Sequence, residues 1–119
     1  MQFLVIEKVA TQTGLAPDLY KQVPDILHAI SDYNQALTKQ GKVKGSWGFA
    51  DGPGAAFILD VDSPDELTRL LGASPSNAFP LTREVHPIAS VPSNLAIAES
   101  VVREQLAHQA AMMQQQRPA

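Results

Sequence analysis

Glu84 and His86 stand two residues apart in Leu81-Thr82-Arg83-Glu84-Val85-His86, a run that reads as a strand. Alternation along a strand sends Glu84 and His86 to one face and Arg83 and Val85 to the other. A carboxylate and an imidazole side by side can remove a proton next to a carbonyl and return it elsewhere, which is general acid–base chemistry. If Val85 faces the helices, the pair enters whatever chamber covers the open side of the sheet, so Glu84 and His86 are the catalytic candidates. The bland alternative is a polar edge strand in water. His28 and Asp32 lie four apart within a helical pattern and share a helix face, where the carboxylate can orient the ring. They are candidates for substrate binding, against the alternative of a solvated surface pair. Trp47 offers a flat apolar wall and one N–H donor, although core or interface packing also explains it. Asp60, closing an apolar run, reads as a turn acceptor rather than a pocket acid.

Other chemistries are disfavoured. His28, His86 and His108 have no close metal-ligand spacing and the chain has no cysteine, so no metal is expected. Gly52-Pro53-Gly54 lacks the following Lys-Ser/Thr and the strand-to-helix context of a phosphate loop. A net charge of -3 and a pI near 5.5 leave no basic stripe for a phosphate backbone, so no nucleic-acid partner is expected. The absence of cysteine fits a reducing compartment, and the opening Gln2-Phe3-Leu4-Val5-Ile6-Glu7 lacks the basic and long apolar regions of a signal peptide. No apolar run approaches the roughly 18 residues of a membrane span. The expectation is a cytoplasmic protein with no membrane partner.

The elements that must position these residues follow from pattern. At 119 residues, 45% of them hydrophobic, the chain supports about one core, and burying more surface against a second copy would help it. Residues 2–9 read as a strand ended by a Thr/Gln/Gly/Pro stretch. Ile26, Leu27, Ile30, Tyr33 and Leu37 mark one face of a helix starting at Pro24 and stopped by Gly41. An earlier turn over 18–23 would be kinked by Pro24. Strands are expected over 43–50 and 55–61, joined by Asp51-Gly52-Pro53-Gly54. Ser63-Pro64-Asp65-Glu66 opens a second helix, with Leu67, Leu70 and Leu71 as its buried stripe and Gly72 as its stop. Residues 81–86 complete a βαββαβ order. That order folds as a ferredoxin-like α+β sandwich with both helices on one face of an antiparallel sheet. The bare face invites a second copy, and two such sheets face to face enclose a cavity. After Pro92 an extra C-terminal helix is expected, capped by Ser93 or Asn94, with Leu95, Ala98, Val102, Leu106 and Met113 approximating a stripe. The domain boundaries are therefore 1–90 for the α+β domain and 91–119 for the helical arm or tail.

One family matches this pattern. Leu37-Thr38-Lys39-Gln40-Gly41-Lys42, then Trp47, Asp60-Val61, Ser63, Leu67, Leu71, Pro75, Phe79-Pro80 and Glu84-Val85 resemble muconolactone delta-isomerase over about residues 1–90. The resemblance implies a dimeric α+β barrel assembled into a homo-oligomer. It also implies proton transfer on an unsaturated lactone or another aromatic-degradation product, with no cofactor. That family carries an Arg-His pair shortly before its tryptophan and an Arg just after, whereas this chain has Lys44-Gly45-Ser46 and Gly48. Lys44 is left as the cation for a bound carboxylate, without the fork of a guanidinium. Two other readings stand beside the isomerase: a non-catalytic ligand-binding or oligomeric assembly domain, and a cofactor-free monooxygenase on the same barrel.

Overall fold

A computed structural model describes residues 1–10 and 16–116. The elements run β1 (Gln2–Val9), α1 (Pro17–Lys39), β2 (Val43–Gly48), β3 (Gly54–Asp60), α2 (Pro64–Gly72), a 3-10 turn (Pro75–Ala78), β4 (Leu81–Ile88) and α3 (Val91–Gln115). Two compact units result, Met1–Ile88 and Ala89–Ala119. The first has the expected βαββαβ order of the ferredoxin-like α+β fold, and its sheet runs β2-β3-β1-β4 with every pair antiparallel.

Strand alternation decides which side chains meet the helices. Phe3, Val5 and Glu7 of β1 share a face with Phe57 and Leu59 of β3 and with Arg83 and Val85 of β4. On that side Val5, Leu59, Val43 and Val61 form the buried core with Leu37 of α1 and Leu67 of α2. Both helices therefore cover the same face. The other face carries two cross-strand rows, Trp47-Ala56-Ile6-Glu84 and Gly45-Ile58-Leu4-His86.

The first helix begins earlier than its apolar pattern predicts. Pro17 occupies the first turn, where no N–H is required, and Asp18 favours the positive end of the helix dipole. Pro24 then lies inside the helix instead of starting it. At the other end Gly41 adopts φ 75, the left-handed conformation glycine reaches without a Cβ penalty. Lys42 N–H donates to the Leu37 carbonyl and Gly41 N–H to that of Thr38, the paired bonds of a Schellman stop.

For α2 the expected cap is present. Ser63 Oγ accepts from Glu66 N–H at 3.1 Å, while Glu66 Oε2 reaches back to Asp62 N–H at 2.9 Å. Lys42 also pairs with Glu66, tying the end of α1 to the start of α2. The third helix is capped one turn earlier than expected: Ser90 Oγ accepts from Ser93 N–H at 3.3 Å, and Pro92 takes the first turn. Its apolar residues, among them Val91, Leu95, Ile97, Val102 and Leu106, are exposed.

Candidate functional site

A cleft of about 580 Å³ opens between the inner face of the sheet, α1 and the segment that follows α2. That volume lies within the range that holds small organic ligands. Val23, Leu27, Ile30 and Tyr33 of α1 form one wall, Leu59 and Phe57 the floor, and Leu70, Leu71 and Phe79 the opposite wall. Tyr33 is fixed by its own hydroxyl, which donates to the Leu70 carbonyl at 2.6 Å, and burial raises its phenol above the ordinary 10.0. Ring and hydroxyl thus brace α1 against α2 at the edge of the cavity.

Among the described residues Glu7 is the one charged side chain lining this cleft. It sits on β1 between Val5 and Val9 and only 8% of its surface is exposed. Its Oε2 accepts from Ser76 Oγ at 2.9 Å and from Arg83 Nη2 at 3.3 Å. Since the single Ser76 hydroxyl proton goes to Glu7, Ser74 is the donor in the 2.7 Å bond between the two serine oxygens. Arg83 reaches this cluster because the register places it directly opposite Glu7. Its Nη2 also donates to Asn77 Oδ1 at 2.9 Å, and the Asn77 amide in turn donates to the carbonyls of Leu71 and Gly72 that end α2. Glu7 Oε1 has no protein partner among the described residues, and Arg83 Nε is buried without one. A buried donor left unpaired costs about 1–3 kcal/mol, and Arg83 Nε is the one such buried side-chain atom among the described residues. A carboxylate with one oxygen anchored and the other without a partner among the described residues, inside an apolar cavity, can accept a hydrogen bond or a proton from a ligand.

The residues singled out from sequence lie elsewhere. Glu84 and His86 share the open face of the sheet, as alternation requires, with His86 Nε2 and Glu84 Oε2 3.4 Å apart and both largely exposed. Trp47 is on the same face, 57% exposed. Its ring lies across Gly45, where a Cβ would come 2.8 Å from the ring carbon Cη2. Lys44 falls at the register shift between Val43 and Gly45 and is exposed. His28 and Asp32 are exposed on α1, no hydrogen bond or ion pair among the described residues joins them, and neither lines the cleft. The structure thus brings Glu84 and His86 together but separates them from Trp47, and none of the six lines the cavity.

Glu7 and Arg83 are the residues that sequence reasoning passed over. Each is a charge in an alternating set of apolar positions, Val5 and Val9 around one, Leu81 and Val85 around the other. Opposite charges on two inward faces are the pattern of a partnered, buried pair. Among the described residues no three His, Asp or Glu side chains gather as a metal site would need, and no helix is long and apolar enough to cross a membrane.

Residues 1–94 match the family model described as muconolactone delta-isomerase. Among the solved structures that share the fold are two enzymes. One is muconolactone isomerase, 22% identical with a TM-score of 0.65, the match covering 78% of this chain and 93% of that one. The other is 5-chloro-2-hydroxyhydroquinone dehydrochlorinase from Burkholderia phenoliruptrix in complex with 2,5-dihydroxybenzoquinone, 20% identical with a TM-score of 0.57, covering 78% of this chain and 98% of that one. No curated protein sequence matches the chain.

Proposed function

Because the chain belongs to the muconolactone delta-isomerase family, we propose that it is a cofactor-free enzyme that moves a proton within a small unsaturated ring, a lactone or a related aromatic-degradation product. The observation that carries this is the half-anchored Glu7 carboxylate in an apolar cleft of ligand size. Both similar structures are of enzymes named for ring-shaped substrates, which supports the ligand class. Glu7 Oε1 takes the proton from a ring carbon beside a carbonyl and returns it to another carbon, so no proton is consumed and no co-reactant is needed. Arg83 balances the carboxylate, and Ser76 holds Oε2 so that Oε1 stays turned to the ligand.

The experiment is exchange of the ring C–H in D2O followed by NMR, with uncharged unsaturated lactones and quinols. Exchange should be catalysed, and Glu7→Gln should slow it by about 10²-fold or more, the usual worth of a positioned base. Absence of exchange with every ring tested, or an unimpaired E7Q variant, overturns the proposal.

A second reading places the chemistry on the open face, where Glu84 and His86 are 3.4 Å apart. There a second copy would close the chamber as a dimeric barrel, within a homo-oligomer working in the cytoplasm. In that case Glu84→Ala and His86→Ala abolish exchange while E7Q does not.

A further inference from the structure

Building on the cleft as the ligand chamber, we propose that the Glu7–Arg83 pair makes it select neutral, hydroxyl-bearing rings and reject free carboxylates. The pair is electrostatically lopsided as seen from the cavity: Glu7 lines the cleft and Arg83 does not. Arg83 spends Nη2 on Glu7 and Asn77. Other cations near the sheet are engaged or turned away, Lys42 on Glu66, Lys8 over the Phe49 ring 5.8 Å away, and Lys44 on the exposed bulge.

A carboxylate entering among Leu27, Ile30, Phe57 and Phe79 would shed its water, find no positive partner among the described lining residues and face the charge of Glu7. Burying an ion without a partner is costly, and a like charge adds to the cost. A phenol or enol meets the opposite situation. Its ring stacks on apolar walls while its O–H donates to the free Glu7 Oε1, a bond made stronger because the acceptor is ionised. The ligand therefore needs a donor where Oε1 waits, and no negative charge of its own.

The test is calorimetric binding of a matched pair at pH 7, neutral 4-methylcatechol and anionic 3,4-dihydroxybenzoate, to the full chain and three variants. Wild type should hold the neutral ring at least about tenfold tighter. Glu7→Gln, by removing the charge, should narrow the difference to within about threefold, and Arg83→Gln, by leaving Glu7 uncompensated, should widen it. Leu27→Trp fills the cleft and should abolish binding of both. If the anion binds wild type as tightly as the neutral ring and L27W removes it, the selectivity proposal fails while the cleft stands. Selectivity fails in the same way if R83Q narrows the difference, a readout that serves should E7Q not fold. If L27W changes neither ligand's binding, the cleft itself is not the chamber and both readings fall.

Discussion

Trp47 and Glu84 stand at opposite ends of one row across the sheet, with Ala56 and Ile6 between them. Three strand spacings separate them, about 14 Å, so a small ring cannot touch both within one chain. Trp47 also lies on the face away from the cleft. Trp47→Ala should therefore leave the affinity of a cleft ligand within about twofold while lowering the mass of the assembly, since a large exposed ring on a bare sheet is what a second copy would bury. Calorimetry and analytical ultracentrifugation read the two effects. A loss of ligand affinity with unchanged mass would move the chamber to the open face.

Breaking the inner pair should be costly one side at a time. Arg83→Leu leaves Glu7 charged and nearly buried, and should destabilise the fold by about 3 kcal/mol, whereas the double change with Glu7→Met should recover much of that loss. Denaturant titration of the four proteins gives the coupling. Additive losses would show that the two groups do not act as a pair.

Acid stability should depend on the tie between α1 and α2. The hydrogen bond from Lys42, helped by the Asp62 N–H, holds the Glu66 carboxyl below the ordinary 4.5. A carboxyl lowered in the folded state stabilises above its unfolded value, and that contribution disappears as the pH falls through the folded one. Thermal melts should thus drop between about pH 5 and pH 3 in wild type more than in Glu66→Gln. The same bond raises Lys42, whose contribution is complete below 10.5 and is lost on the alkaline side as the pH passes the raised folded value. Parallel profiles for the two proteins from pH 3 to 7 would contradict this, within the roughly unit-wide window of a single titration.

Tyr33→Phe removes one hydroxyl and leaves the carbonyl of Leu70 without its donor. The expected loss is about 1 kcal/mol, with the cleft volume preserved. In wild type the phenol should titrate above 10.0 by ultraviolet absorbance, because burial disfavours its anion. A phenol titrating at the ordinary value would mean that α1 stands off from α2 in solution.

The elements were largely legible in sequence where a local signal has one physical meaning. Ser63-Pro64-Asp65-Glu66 names its helix start because hydroxyl, ring and carboxylate each answer a need of the first turn, and Gly41 names a helix stop because the left-handed residue there suits glycine. Pro24 misled because a proline fits a first turn and is merely tolerated within a helix, so the sequence around it allows either reading until Pro17 is seen to supply the better start. Ser90 was passed over for Ser93 because both precede apolar residues at a plausible distance, and only the backbone shows which accepts the bond.

The cleft was harder to read. Alternation correctly sends Glu84 and His86 to one face and Arg83 to the other, but it does not say which face holds a cavity. That depends on how far α1 stands from Phe57 and Leu59, a matter of packing among side chains distant in sequence. Glu7 went unnoticed because a charged residue in a strand is ordinarily assigned to water. Its apolar neighbours on the same face, and the matching interruption at Arg83, carried the signal that this one is not.

Pro24 has no N–H, so the carbonyl of Tyr20 one turn before it lacks the donor a regular helix would supply. The turns from Pro17 to Val23 are consequently joined to the remainder of α1 by one link fewer, and they can fray while the later turns stay wound. Tyr20 and Val23 border the cavity, which puts this seam at its mouth. Amide protons before the seam should exchange faster than those after it, and the rate at which that short stretch loosens would then govern how quickly a ring can come and go.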